Sequence, residues 1–297
     1  MRLLYLAALL IILAVPSTSM AGGAVDAPTR FVEADGRRIA YRSVGTGRPL
    51  ILAVRFRGVL DSWDPAFIDA LAKSHRVITF DYSGLGSSTG TRATTTNQMV
   101  DDIRDLADGL KLKSFVMGGW SLGGAIAQEA AVEMPDRISH LVIIGSAPPG
   151  HGFGAPQKAF LDAAFKPVND LADEEVLFFL PTNEASRAAA KASNARISAR
   201  KSDLSAPVPP AFFADLFTVA ADFRADDSGV SNFLFSTKMP VLIVAGDHDV
   251  SCRVEDWYAL SGRLSTARIL VMPQSGHAPQ HQYPDEVAAQ IATLTAL

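Results

Sequence analysis

Residues 118–127 read Gly-Gly-Trp-Ser-Leu-Gly-Gly-Ala-Ile-Ala, and no other stretch constrains the fold as strongly. Before it, Ser114 to Met117 is a short apolar run of strand type; after it, Ala125 to Met134 has helical spacing ended by Pro135. A strand must therefore give way to a helix across a few residues, most of them glycine. A serine at such a junction has two readings. It can be a helix N-cap, its hydroxyl accepting from an amide of the first turn. It can instead be a nucleophile on a turn too tight for side chains at neighbouring positions. Gly119 to Gly123 matches G-x-S-x-G, in which the glycines admit close strand–helix approach while the serine takes strained dihedrals that expose its oxygen. The strand–turn–helix setting favours the nucleophile.

The rest of the chain repeats the alternation. Phe31 to Val44 reads as a hairpin turning at Asp35-Gly36. Further apolar runs follow at Leu50–Val54, Arg76–Phe80, His140–Ile144, Val241–Ala245 and Arg268–Met272, with little internal alternation, as for strands buried on both faces of a mostly parallel sheet. Helical spacing marks Asn97–Leu110, with Met99, Ile103, Leu106 and Leu110 on one side, and Asp285–Leu294 at the end. Strands alternating with helices predict an open α/β sheet with right-handed crossovers. Residues 146–238 break the rhythm. They hold alanine-rich and acidic helical stretches around Pro207-Val208-Pro209-Pro210 and no convincing buried strand, so they read as a helical insertion covering one end of the sheet. The expected organisation is a core of residues 30–145 and 239–297 with a helical cap at 146–238.

With 297 residues and 48% hydrophobic content, the chain can bury one large core. A net charge of −4 gives no reason to expect nucleic acid as a partner. Arg2, the apolar run Leu3 to Val15, the break at Pro16 and the small-x-small Ser19-Met20-Ala21 read as a cleaved export signal over residues 1–21. The run is shorter than the roughly 20 residues of a membrane-spanning helix, so the expectation is an exported protein, periplasmic or extracellular, with no stable membrane span after cleavage; a short uncleaved anchor is the alternative reading. The single cysteine, Cys252, excludes an intramolecular disulfide and reads as a structural thiol.

A serine hydroxyl is a poor nucleophile at neutral pH without a base, and the base needs an orienting acid. Downstream, Val241 to Asp249 is a strand running into a Gly-Asp-His-Asp turn, and Ser275-Gly276-His277-Ala278-Pro279 follows the last strand. Both stand at carboxyl ends of strands, where open α/β sheets place their ligands. The elbow GWSLGG, FDYSGLGSS at 80–88, LIVAGDHD at 242–249 and SGHAP at 275–279 together resemble the α/β-hydrolase superfamily from about Phe31 onward. The resemblance implies the α/β-hydrolase fold and a catalytic set of Ser121, Asp249 and His277, with Asp247 as the alternative acid. It also implies that the glycine turn at 84–86 is structural. A serine at 121 argues against the aspartate-dependent dehalogenase and epoxide-hydrolase chemistries of that superfamily.

One departure stands out. Where the superfamily usually has His-Gly after its third strand, this chain has Val54-Arg55, and the strand is expected to continue through Gly58. An oxyanion hole needs backbone N–H groups more than particular side chains, so the amides of Phe56 and Leu122 are its expected donors. Arg55 and Arg57 have two readings: cations at the site mouth that contact substrate, or members of ion pairs with Asp61, Asp64 or a cap acid that hold the loop. Trp120 is a further candidate contact. His75 and His140 read as surface residues and His248 as facing solvent or the cap; no spacing supports a metal site among His248, Asp249 and His277. The expected function is cofactor-free hydrolysis of a carboxylic ester or lactone of modest size through an acyl-enzyme. Haloperoxidase or perhydrolase activity and carbon–carbon bond hydrolysis use the same triad and stay open, as does a binding module that has lost turnover.

Overall fold

The computed structural model describes residues 23–296; the expected export segment at 1–21 lies outside them. In chain order the elements are β1 (Arg30–Ala34), β2 (Arg37–Val44), β3 (Arg48–Ala53), α1 (Pro65–Ala72), β4 (His75–Phe80), α2 (Thr96–Gly109), β5 (Phe115–Trp120), α3 (Leu122–Glu133) and β6 (Ile138–Ile144). Next come α4 (Lys158–Ala164), α5 (Leu171–Phe178), α6 (Glu184–Ile197), α7 (Phe213–Ala225) and α8 (Val230–Ser236). The chain ends with β7 (Val241–Gly246), α9 (Val254–Tyr258), β8 (Ala267–Met272), α10 (Pro279–Gln282) and α11 (Pro284–Thr295).

The strands form one eight-stranded sheet in the order β1-β2-β4-β3-β5-β6-β7-β8. β2 runs antiparallel to both β1 and β4, and every other pairing is parallel. α1 and α11 pack together on one face, and α2 and α3 pack together on the other. Every residue of β5 and of β7 is buried, which is why these strands read as continuous apolar runs without alternation.

β5 is longer than the sequence suggested. It continues through Gly118, Gly119 and Trp120, and α3 starts at Leu122, so the junction is Ser121 alone. Glycine makes this possible. A Cβ at Gly119 would run into the carbonyl of Gly123, and a Cβ at Gly123 into the carbonyls of Ala53 and Val54. Their absence lets the first turn of α3 sit directly against β5 and the end of β3.

β3, in contrast, stops at Ala53 rather than running on to Gly58. Arg55 to Gly58 is a tight turn closed by the Gly58 amide donating to the Arg55 carbonyl at 2.9 Å, with Arg57 in the left-handed region at φ 59°. Arginines there cannot pair in the sheet, because the turn redirects the backbone towards the inserted helices. His75 and His140, expected at the surface, are 2% and 6% exposed. His75 faces the Thr295 hydroxyl of α11 at 2.8 Å, so the last helix covers it.

α4 through α8 all lie between β6 and β7, with α7 and α8 against α3. Arg196 of α6 forks onto the fully buried carboxylate of Asp64, at 2.5 and 2.8 Å, and joins this segment to the start of α1. Among the described residues, no helix is long and apolar enough to cross a membrane.

Candidate active site

Ser121 is the N-cap residue of α3, yet its side chain caps nothing. Where another α-helix has Asp, Asn or Thr at its N-cap, that side chain does cap. Asp64, Thr95, Asp170 and Asn183 each accept from an amide in the first turn of the helix they precede. At Ser121 the backbone takes φ 57°, ψ −120°, a conformation that costs about 1–3 kcal/mol for a residue with a Cβ and persists only where surrounding structure enforces it. Its hydroxyl turns instead to His277, with Oγ and Nε2 2.8 Å apart.

The other ring nitrogen of His277, Nδ1, lies 2.8 and 3.0 Å from the two carboxylate oxygens of Asp249. Asp249 is held in turn by the amides of Ser251 and Cys252, at 2.7 and 2.8 Å. Both side chains of this pair are almost wholly buried. The geometry puts the Nδ1 proton on the carboxylate side and leaves Nε2 as acceptor for the Ser121 hydroxyl. Asp247 does not reach the histidine. It sits 2.6 Å from His248 and accepts from the Ser275 amide at 3.0 Å, tying the turn after β7 to the turn after β8. Burial opposes its charge, but these hydrogen bonds hold its carboxyl below the usual range.

Trp120, a candidate substrate contact, is 1% exposed and lines neither cavity beside Ser121. Its indole N–H donates to the His277 carbonyl at 2.8 Å, so the residue before the serine helps to hold the histidine loop in place. Beneath it lies His281, ring centroids 4.7 Å apart. The amides of Phe56 and Leu122 bond to no other group among the described residues, and both residues border the same cavity as Ser121.

The arginines of the 55–58 turn do not pair as expected. Asp61 pairs with Arg42 and Asp64 with Arg196. Arg57 donates to the carbonyls of Ala164 and Lys166, at 2.6 and 2.8 Å, closing the carboxyl end of α4, and lies over the Phe213 ring. Arg55 donates to the Phe56 carbonyl at 2.7 Å and stacks on the rings of Phe178 and Trp120. Burial pushes its guanidinium down to about 10, against the pull of Glu174, so it stays cationic at neutral pH. Its Nε is buried without a partner among the described residues. Carbonyls and aromatic faces, not carboxylates, hold this turn.

Two cavities meet at Ser121. The larger, about 240 Å³, is lined chiefly by Phe56, Leu122, Phe160, Leu216, Phe217 and Phe223. The smaller, about 20 Å³, has His277, Arg55, Arg57 and Phe178 in its wall. Phe56 and Phe160 border both. Arg224 and Cys252 also line the larger cavity, and sequence reasoning gave neither a role there. A signal existed for Arg224: it shares with Phe217 and Ala221 one helical stripe of an otherwise apolar face.

A family profile described as the alpha/beta hydrolase fold matches residues 56–284. The chain belongs to the α/β-hydrolase family. An α/β hydrolase fold protein from Chitinophaga pinensis shares 28% identity at a TM-score of 0.82, covering 92% of this chain and 99% of that one. Among curated proteins, this α/β hydrolase is 26% identical over 255 residues to the pimeloyl-[acyl-carrier protein] methyl ester esterase of Aliivibrio salmonicida, 84% of this chain and 93% of the esterase. It is 37% identical over 131 residues to the proline iminopeptidase PfmaB of Pestalotiopsis fici, but spans only 45% of that protein's length. The family and the esterase-named relative make this chain a hydrolase.

Proposed function

We propose that this hydrolase cleaves a small carboxylic ester or lactone through an acyl-enzyme on Ser121. The observation that carries the reading is the hydrogen-bonded relay from Ser121 through His277 to Asp249 at the mouth of an apolar cavity. Ser121 attacks the acyl carbon while His277 Nε2 takes its proton; Asp249 keeps the imidazole in the right tautomer and stabilises the imidazolium. The Phe56 and Leu122 amides receive the oxyanion, each worth about 10²- to 10³-fold in turnover. His277 then returns the proton to the departing alcohol, and water releases the acid by the same route.

Esters fit this cavity better than amino-terminal peptides. A prolyl iminopeptidase substrate carries an ammonium group, which a buried site would pair with a carboxylate. Among the described residues no Asp or Glu lines the larger cavity, and the one charged group there is cationic. The N-terminal pattern of Arg2, Leu3 to Val15 and Ala21 supports export before catalysis; the intact mass of protein recovered from outside the cytoplasm reads the cleavage.

Mass spectrometry after fluorophosphonate treatment tests the reading without a choice of substrate. Wild type should gain one adduct on Ser121, and Ser121→Ala none. A folded wild-type sample that stays unlabelled would overturn it and favour a binding module.

A further inference from the structure

The two cavities differ in which catalytic group they contain, and that difference orients the substrate. His277 lines the small cavity and not the large one. The group that protonates the leaving alcohol must face it, so the alcohol belongs in the small cavity and the acyl chain in the large one. A space of about 20 Å³ is little more than the 10–15 Å³ that holds one water. A space of that size favours a very small alcohol.

The acyl side has one charged group. Arg224, in the last turn of α7, is half-buried in the wall of the large cavity. It makes no hydrogen bond or ion pair among the described residues, and the acids flanking it are committed elsewhere. Asp222 accepts from the Thr96 amide and hydroxyl at 2.7 and 2.9 Å, and Asp226 from the Ser231 amide at 3.2 Å. A cation near a helix carboxyl end gains from the helix dipole. That would explain an arginine reaching back over the last carbonyls of α7, which Arg224 does not do. It shares the cavity wall with the Cys252 thiol, to which it makes no bond. An unpaired guanidinium on an apolar wall has a planar fork of donors suited to a carboxylate.

We infer that Arg224 reads a carboxylate at the far end of the acyl chain, making the substrate a half-ester of a dicarboxylic acid with a very small alcohol such as methanol. This rests on the serine-hydrolase reading above. The acyl–oxygen bond breaks, water supplies hydroxyl to the acyl carbon and a proton to the alcohol, and a dicarboxylate leaves.

Binding and turnover separate the two ideas. In the Ser121→Ala variant, calorimetry would compare monomethyl glutarate, adipate and suberate with neutral methyl esters of equal length. The expected result is that at least one half-ester binds about 10- to 100-fold tighter, as for one charge-assisted pair. Adding Arg224→Gln should abolish that preference and adding Arg224→Lys should restore part of it, with circular dichroism showing all variants folded. Equal binding of charged and neutral esters, or a preference that survives Arg224→Gln, would overturn the inference. Methanol release by wild type reports the underlying reading: half-ester bound by Ser121→Ala but never hydrolysed by wild type would sink ester hydrolysis and leave the anion site standing.

Discussion

The indole N–H of Trp120 donates to the main-chain carbonyl of His277 at 2.8 Å, joining the residue before Ser121 to the histidine that faces its hydroxyl. The strained turn at Ser121 and the loop after β8 therefore hold each other in register. The Ala278 amide adds a second tie, donating to the Phe178 carbonyl at the end of α5.

Trp120→Phe keeps most of the volume and removes that donor. The His277 carbonyl would be left without its buried partner, at a cost of about 1–3 kcal/mol. The rate of fluorophosphonate labelling should fall about 10-fold while the fold survives. A labelling rate equal to wild type would show that the bond does not position the base.

Arg57→Gly separates side chain from backbone, because glycine accepts the left-handed φ of 59° without strain. The bonds to the carboxyl end of α4 disappear, and the Phe56 amide loses its bracing. Labelling should slow by about 10- to 100-fold, part of the effect of losing one oxyanion donor, with little change in melting temperature. A large fall in melting temperature with unchanged labelling would assign Arg57 to stability alone.

Gly123→Ala places a methyl group against the Ala53 and Val54 carbonyls. Neither is free to move, since one ends β3 and the other begins the Phe56 loop. A loss of about 3 kcal/mol is expected from such overpacking, together with loss of labelling. Denaturant unfolding that matches wild type would contradict the close approach of α3 to β3.

Arg196→Met leaves the buried Asp64 carboxylate without its guanidinium. Removing one partner of a buried pair costs about 3–5 kcal/mol; the partial exposure of Arg196 places the expected loss at the lower end. The double variant Arg196→Met/Asp64→Asn should recover part of it. If the double variant is no more stable than the single one, the pair is not what joins α6 to α1.

His281 supplies a pH dependence. Burial pushes its imidazole down to about 4, against the pull of Asp64, and its Nε2 accepts from the Asp64 amide at 3.3 Å. An unfolded histidine titrates near 6.5, so between these values the unfolded chain binds the proton first. Stability from this group is complete above about pH 6.5 and is lost as pH falls towards 4, by up to about 3 kcal/mol. His281→Gln should flatten that part of the stability curve. Parallel curves for variant and wild type would remove His281 as its source.

The local features of this protein were legible in its sequence. The alternation of apolar runs and amphipathic stretches carries the open sheet, because strand and helix periodicities are properties of neighbouring residues. The glycines around Ser121 carry the elbow for the same reason: what each lacks is a side chain that would meet its own strand or helix. The resemblance of the turns at 246–249 and 275–279 to a known family pointed to Asp249 and His277, yet whether Asp247 or Asp249 faces the histidine depended on the turn's three-dimensional path. The partners of Arg55 and Arg57 had no sequence signature. Those of Arg57 are main-chain carbonyls at the end of α4 and a ring of α7, more than a hundred residues away, and those of Arg55 are the neighbouring Phe56 carbonyl and the rings of Trp120 and Phe178; every residue offers a carbonyl. The same holds for Phe56, whose ring is set by Phe217 and Phe213 at 4.8 and 5.6 Å. The division of space at Ser121 into a small cavity with His277 and a large one with Arg224 is likewise tertiary. A cavity is bounded by residues from five or six elements, and only their packing decides which charges remain unpaired inside it.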